Sequence, residues 1–373
     1  MPKLLKICED YSLSLGFHWN PSKCVVLSDM NDDLSYELYG QNLPKQHSFS
    51  YLGVPFKPGG YLNPQELIEH NVCKAFIMMN VLTSVGVNPN GFDRLLSTRF
   101  YAQIVRARLE YGLAINKLTA SQIKMLDDAQ NECLRRIYGA SKRASTKVMR
   151  HLSRLPTMKE RLNILQAQFL FRSLTVPEDA LLTKLMLHIQ HDRHQQWYKL
   201  SKSSLWKSIP PPVEEVSIKT FKAIKQQFLQ QGLDNQKQHK NSKLLSCCRP
   251  TVSLDPILWL PMTRKERSRC IRWRLGWLPG GKPRPCPIHP NQTLTKSHAI
   301  QCLSMHNRLQ MPSTIEDPLS FLLNLLPTKL SRSSHTVTLG PFVGQPYVQY
   351  YLNWTIFTTM LPPVPDLHMV SSF

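Results

Sequence analysis

An apolar repeat with helical spacing runs from Asn63 to about Leu174 and limits the fold of this chain more than any other feature. Residues 64 to 84 and 92 to 111 carry Leu, Ile, Phe and Val at this spacing, with no internal proline. Such a period is typical of helices that bury one face. We therefore predict a helical bundle over residues 61–174.

One helix of this bundle has a clear start and end. Thr119 and Gln122 form a capping box, and Gly139 takes the position after the last turn. The apolar face predicted for this helix consists of Ile123, Leu126, Cys133, Leu134 and Ile137. Two more helices are predicted, one starting near Ser145 and one running from Thr157 through Phe171.

The first sixty residues predict a small α/β region. A helix over residues 2–15 is expected to place one apolar face inward, formed by Leu4, Cys8, Tyr11 and Leu15. Strands are predicted at Cys24–Ser28, Tyr36–Tyr39 and Ser48–Val54. The first strand is apolar on both faces, and such a strand normally has neighbours on both sides. One helix and three strands are too little sheet to close a core alone.

The remaining chain divides by composition. Residues 175–250 are rich in Gln, Lys and His and predict a connector with one or two helices; residues 251–310 carry a basic helix and a Cys/His cluster. Residues 311–373 form a C-terminal tail with an apolar helix around Pro318 to Leu326. No stretch of about 20 apolar residues is uninterrupted, so no membrane span is predicted. The predicted fold is mainly α with a small N-terminal α/β part.

Charge points to the class of partner. The chain has 46 Lys and Arg against 25 Asp and Glu, a net charge of +21, which favours a polyanion such as RNA or DNA. An anionic membrane surface and a merely solubilising charge are the alternatives. Between Cys133 and Lys159 no acidic residue occurs among eight basic ones: Arg135, Arg136, Lys142, Arg143, Lys147, Arg150, Arg154 and Lys159.

A second basic tract extends from Arg264 to Arg284 and contains Trp273 and Trp277. The residues expected to bind nucleic acid here are Arg269, Arg272, Trp273 and Arg274. Lysines and arginines neutralise phosphates without regard to base sequence, and tryptophans between them can stack on bases. The alternative is a solvated helix face with its tryptophans in the core.

Four residues have the spacing of a structural zinc site. Cys286 and His289 are separated by two residues, and His298 and Cys302 by three, which places the second pair one helical turn apart. Four protein ligands leave no open position, so hydrolysis is not implied. His306 could replace His298, and a coincidence of spacing is the alternative. The nine cysteines are scattered and predict a reduced intracellular compartment, the nucleus or cytoplasm.

A polymerase needs two carboxylates on rigid strands to hold magnesium ions. The acidic doublets are Asp32 with Asp33, in a polar turn, and Asp127 with Asp128, on the exposed face of a predicted helix. Neither doublet has apolar strands around it, so both are expected to be solvated.

Four segments resemble successive motifs of non-LTR (LINE-type) reverse transcriptases, which are RNA-directed DNA polymerases of transposable elements. "GFHWNPSKCVVLS" resembles a motif that leads into a palm strand, and "FSYLGVPF" resembles the primer-grip hairpin. "RLEYGLAINKLTASQIKMLDDAQNECLRRIYGA" is similar to the thumb, and the Cys/His cluster resembles the zinc knuckle, with His289 where the family usually has cysteine. The resemblance covers nearly the whole chain.

The resemblance implies roles and boundaries. Lys23 would lie near the leaving pyrophosphate, with Asn20 as a second accessory residue, while Tyr51, Leu52 and Gly53 would position the primer terminus. The family's catalytic aspartates precede the first motif matched here, so we expect a truncated reverse transcriptase that binds nucleic acid but is inactive alone. Magnesium would be needed only with the missing N-terminal polymerase part, a possible partner. The alternatives are a domesticated non-enzymatic binding protein and an inert remnant.

On this interpretation the chain has five segments. They are a palm remnant (1–60), a helical thumb (61–174), a connector (175–250), a basic helix with zinc knuckle (251–310) and a tail (311–373).

Overall fold

The computed structural model describes residues 1–28, 34–189, 191–276 and 285–328. In this part of the chain the fold is mainly helical, with small sheets near the N-terminus, which confirms the predicted fold class. No helix among these residues has the length and apolar character needed to cross a membrane. The acidic pair Asp32 and Asp33 lies outside the described residues, and so does the part of the second basic tract that follows Gly276.

Seven short strands form the N-terminal sheets. Strand β1 (Val26–Leu27) pairs in parallel with β4 (Lys45–Gln46), and β2 (Glu37–Leu38) pairs antiparallel with β3 (Gln41–Asn42). A three-stranded antiparallel sheet consists of β5 (Phe49–Tyr51), β6 (Val54–Lys57) and β7 (Tyr61–Leu62). The single strand predicted at Ser48–Val54 is therefore wrong, because the chain turns at Leu52 and Gly53 and forms a hairpin. That hairpin is the feature expected from the resemblance.

The first helix, α1 (Pro2–Ser14), buries a different face from the one predicted. Leu4 and Tyr11 are exposed, whereas Ser12 is fully buried and Leu5 packs against a small core of Val26, Tyr36, Leu38 and Leu43. Polar bonds set this orientation, because Ser12 Oγ contacts the Tyr39 hydroxyl and Glu9 accepts from the Tyr39 backbone N–H.

The helical region agrees with the sequence prediction in element type and position. Its helices are α2 (Pro64–Ser84), α3 (Arg94–Phe100), α4 (Arg106–Glu110), α5 (Ala120–Tyr138), α6 (Thr146–Leu152) and α7 (Met158–Ser173). A π-helical stretch, Tyr101–Val105, joins α3 to α4. The capping box of α5 is present: Gln122 N–H donates to Thr119 Oγ1 at 3.3 Å, and Thr119 N–H donates to Gln122 Oε1 at 2.9 Å. Leu126, Cys133, Leu134 and Ile137 are buried, as predicted.

Residues 175–250 contain more helix than the sequence predicts. The described residues of this range form five α-helices: α8 (Leu181–Ile189), α9 (Gln196–Leu200), α10 (Ser204–Lys207), α11 (Ile218–Gln238) and α12 (Lys243–Ser246). Most are too short to show a period, and tertiary packing determines them. Trp197 and Leu200, for example, pack with Leu170 and Met186 in one buried cluster.

Four helices complete the described chain: α13 (Arg264–Arg274), α14 (Lys296–Cys302), α15 (Met305–Arg308) and α16 (Pro318–Leu325). The last confirms the helix predicted around Pro318 to Leu326. The chain divides into two compact units, each built from three stretches. The first unit comprises 1–78, 104–129 and 161–216, and the second comprises 79–103, 130–160 and the described residues from 217 onward.

Candidate metal centre and basic surface

The four predicted metal ligands come together at one point. The sulfurs of Cys286 and Cys302 and one ring nitrogen each from His289 and His298 lie within 4.8 Å of one another. Cys286 Sγ is 3.6 Å from Cys302 Sγ and 3.9 Å from His289 Nδ1. In a tetrahedral zinc site with Zn–S bonds of about 2.3 Å and Zn–N bonds of about 2.0–2.1 Å, ligand atoms are about 3.3–3.8 Å apart. The cluster therefore has the dimensions of a four-ligand metal site.

Local sequence explains how each pair of ligands is placed. The first pair is on a tight turn, in which Cys286 N–H donates to Gln292 O at 2.8 Å and Gln292 N–H donates to His289 O at 2.9 Å. The second pair is on α14, whose first turn is capped by Thr295 Oγ1 accepting from His298 N–H at 3.1 Å. A cap followed by a three-residue gap thus directs His298 and Cys302 to one side.

The electrostatics of the two thiols differ. Burial opposes ionisation of Cys286, but the nearby His298 imidazole, the backbone at His289 and Ile288, and the Cys302 side chain lower the pKa of the Cys286 thiol to about 6. Burial and the neighbouring Cys286 raise the pKa of Cys302. One thiolate is therefore available at neutral pH, and a bound cation would favour the second.

The imidazoles also suit a metal ion. The Nε2 atom of His298 is buried and has no hydrogen-bond partner among the described residues, as expected of a nitrogen with its lone pair available. His306, the alternative ligand, is occupied elsewhere, because its Nε2 lies 2.8 Å from the Ile315 carbonyl oxygen. The residues present could therefore hold a metal ion with His298 rather than His306.

A buried polar network connects α14 to α13 and α16. Lys296 on α14 forms an ion pair with Asp317, and its Nζ lies 5.1 Å from the centre of the Trp273 ring. Trp273 Nε1–H donates to Asp317 Oδ1 at 3.0 Å, and its side chain is 1% exposed. The prediction that Trp273 stacks on bases is wrong, because this contact places the ring in the core. The alternative left open by the sequence is the correct one here.

Arg274 is buried for a similar reason. Its guanidinium donates to Cys247 O at 3.0 Å and to Asn324 Oδ1 at 2.8 Å, and lies 3.6 Å from Asp255 Oδ2. The prediction that Arg274 contacts nucleic acid is therefore also wrong. Arg269 and Arg272 are half-buried with partners of their own, and their role in binding stays a prediction.

The sequence reasoning missed Asp255 and Asp317, the two carboxylates that hold α13 in place. A signal was present: each precedes a proline, and Asp-Pro is typical of a helix start. Asp317 Oδ1 accepts from Ser320 N–H at 2.9 Å, and Asp255 Oδ1 accepts from Ile257 N–H at 3.0 Å. What the sequence does not indicate is that the same carboxylates pair with distant cations.

The first basic tract contains both occupied and available cations. Arg135 and Arg136 pair with Glu132, and Arg150 is buried with its Nη1–H donating to Asn131 Oδ1 at 2.6 Å. Lys142 and Arg143 are exposed and have no ion-pair partner in the described chain. Lys147 is half-buried and also has no ion-pair partner there. These last three cations are available to a phosphate backbone.

The N-terminal residues implied by the resemblance lie at local turns. Asn20 Oδ1 caps a short 3₁₀ helix by accepting from Ser22 N–H at 3.0 Å, and Lys23 at its end is exposed. Leu52 and Gly53, with φ of 49° and 77°, are the two central residues of the hairpin turn. Tyr51 and Leu52 are 63% and 73% exposed, so the turn is accessible.

Asp128 pairs with Lys124 at 2.6 Å on the exposed face of α5, which confirms the expectation for that carboxylate. All nine cysteines are free thiols. The chain matches no protein-family model, no curated protein sequence and no solved structure.

Proposed function

We propose that this chain binds RNA or DNA through the basic surface around α6, as the thumb-like part of a non-LTR reverse-transcriptase-type protein. The observation that carries the proposal is the set of cations at Lys142, Arg143 and Lys147, which lack ion-pair partners among the described residues of a chain with net charge +21. A cation that already pairs with a protein carboxylate binds phosphate less well. A cation without such a partner can displace the counterions of a nucleic acid.

The metal centre supports the same proposal as a structural element. Two sulfur and two nitrogen ligands favour zinc, and four protein ligands leave no position for a substrate or a reactive water. The network of Lys296, Asp317 and Trp273 connects the metal module to α13, so zinc would hold the second basic tract in its folded form.

The proposal assigns binding rather than catalysis to these residues. Asp128 is paired with Lys124, and its side chain is 60% exposed, unlike a carboxylate fixed on a strand for magnesium. Magnesium chemistry would require carboxylates supplied by another segment or partner. A domesticated, non-enzymatic binding protein would use the same cations, and reduced cysteines suit an intracellular site for either.

The test is the salt dependence of binding to duplex and structured RNA. Replacing two exposed cations, Lys142→Gln with Arg143→Gln, should reduce the slope of log Kd against log salt by about 1.8, since each phosphate contact contributes about 0.9. The matched control is Lys6→Gln with Lys124→Gln, which removes two cations that already pair with Asp10 and Asp128.

The control should retain the wild-type slope. Equal slopes in the two double variants, or affinity independent of salt in the wild type, would show that this surface does not contact phosphates. Binding would be followed by fluorescence anisotropy at several salt concentrations.

A further inference from the structure

A recessed cavity lies in the second unit, between α6, the start of α7, and helices α11 and α12. Its lining combines polar side chains, Lys147, Arg150, His151, Arg154, Glu160 and Gln236, with apolar ones that include Leu229, Leu233, Leu245 and Val252. The cavity has a volume of about 50 Å³. One water molecule needs about 10–15 Å³ by this measure, so the cavity has room for about three to five waters. That is enough room for one phosphate group.

The lining carries a net positive charge. Lys147, Arg150 and Arg154 contribute three positive charges and Glu160 one negative charge, which leaves +2. His151 is neutral at pH 7, because burial and the nearby Lys237 lower its pKa to about 4.

Glu160 is held at the wall by other donors. Its carboxylate accepts from Thr157 N–H at 2.7 Å and from Gln236 Nε2–H at 3.4 Å. These bonds satisfy Glu160 within the protein, whereas Lys147 and Arg154 have no ion-pair partner among the described residues.

Arg154 has a backbone conformation that L-residues rarely adopt. Its φ is 53°, at the end of α6, where glycine is the usual residue. Two bonds fix this turn: Arg154 N–H donates to His151 O at 3.1 Å and Leu155 N–H donates to Arg150 O at 2.8 Å. Arg154 Nη2–H then donates to Gln226 Oε1 at 3.3 Å, which orients the guanidinium and leaves most of its donors available.

We propose that this cavity binds a phosphate monoester group, with Lys147 and Arg154 as its charged ligands. A recess that admits one phosphate suits the terminal phosphate of a nucleic acid better than an internal phosphodiester, which is flanked by sugars on both sides. Inorganic phosphate has the same chemistry and is the second source. The proposal depends on the proposed function only for the choice between these two sources.

The experiment compares short single-stranded oligonucleotides with a 5′-phosphate or a 5′-hydroxyl, using the full chain at neutral pH. A 5′-hydroxyl oligonucleotide two nucleotides longer controls for the added charge, because a phosphate monoester carries nearly two negative charges at neutral pH. Two charge-assisted hydrogen bonds predict about ten-fold tighter binding of the 5′-phosphate. Arg154→Gly and Lys147→Gln should abolish this preference, whereas Lys124→Gln, at a cation outside the cavity that pairs with Asp128, should retain it.

Arg154→Gly is the decisive variant, because glycine tolerates the left-handed backbone and the fold should remain at least as stable. Calorimetric titration with inorganic phosphate forms the second arm, and it decides the matter even if no oligonucleotide binds. Phosphate binding lost in Arg154→Gly supports the site, with free phosphate as the source if the 5′ preference is missing. The proposed site is overturned if the wild type shows neither phosphate binding nor a 5′-phosphate preference. It is also overturned if the Arg154→Gly variant retains either of them.

Discussion

Arg274→Met should destabilise the second unit, although the sequence places this residue in a nucleic-acid-binding tract. The side chain is 1% exposed and its guanidinium contacts four partners. They are the carbonyl oxygens of Cys247 and Ser320, the amide of Asn324 and the carboxylate of Asp255. Methionine fills a similar volume but supplies no donor and no charge.

The magnitude follows from what remains after the substitution. At 3.6 Å and an effective dielectric constant of about 20, the lost attraction between Arg274 and Asp255 is about 4–5 kcal/mol. Removing one partner of a buried pair typically costs about 3–5 kcal/mol, because a charge stays buried without compensation. For a unit of roughly 150–250 residues, this corresponds to a fall in Tm of about 6–20 °C.

The dependence on pH identifies the cause. Burial raises the pKa of Asp255, and Arg274 opposes that rise, so the pKa should increase further in the variant. When an acidic group has a higher pKa in the folded protein than in the unfolded chain, the protein loses stability as pH rises between those two pKa values. It regains that stability when the pH is lowered again. The deficit relative to wild type should therefore be smaller at pH about 4.5 than at pH about 7.

Asp255→Asn is the matched second substitution, since its amide oxygen can still accept from Ile257 N–H. The free energy of unfolding of the double variant should lie within about 1–3 kcal/mol of the wild-type value. The remaining loss arises because the carbonyl oxygens that accepted from Arg274 stay buried without a donor. Denaturant unfolding at both pH values measures these differences. An Arg274→Met protein as stable as wild type, or a deficit unchanged by Asp255→Asn, would refute the buried pair as the cause.

Two further predictions concern the metal centre and a buried histidine. The purified chain should hold one equivalent of zinc, which should be lost in a Cys286→Ser, Cys302→Ser double variant and retained in His306→Ala. Zinc that remains bound after both thiols are removed would exclude this site. Cobalt substitution should give the strong visible absorption of a tetrahedral site with sulfur ligands. The pKa of His151, lowered mainly by burial to about 4, means that the unfolded chain takes up a proton first as pH falls, so up to about 3 kcal/mol of stability should be lost from pH about 6.5 to about 4. Urea unfolding of His151→Gln should show a weaker pH dependence, and an identical pH profile would contradict this assignment.

Sequence patterns predicted the features that depend on nearby residues. Spacing within one or two helical turns was enough to predict the capping box of Thr119 and Gln122. The same kind of spacing predicted that His298 and Cys302 lie on one side of a helix. The hairpin at Leu52 was expected from the resemblance rather than from periodicity, since a two-residue turn leaves the strand pattern almost unbroken.

Features that depend on distant partners could not be predicted. Trp273 and Arg274 lie in a strongly basic helix, and only Asp317 and Asp255 explain why they are buried. The inward face of α1 was misjudged for the same reason: Ser12 is buried because Tyr39 lies opposite it. Short helices such as α9 and α10 have too few residues to show a period.

The way each unit is assembled sets the order in which a nascent chain can fold. The second unit combines residues 79–103 with stretches that follow residue 129 and residue 216. Apolar residues that end up fully buried, such as Val87 and Tyr101, are synthesised long before those later stretches emerge. Until those stretches emerge, such residues stay open to aggregation or to chaperones. The second unit can therefore complete its fold only after the chain from residue 217 onward has been synthesised.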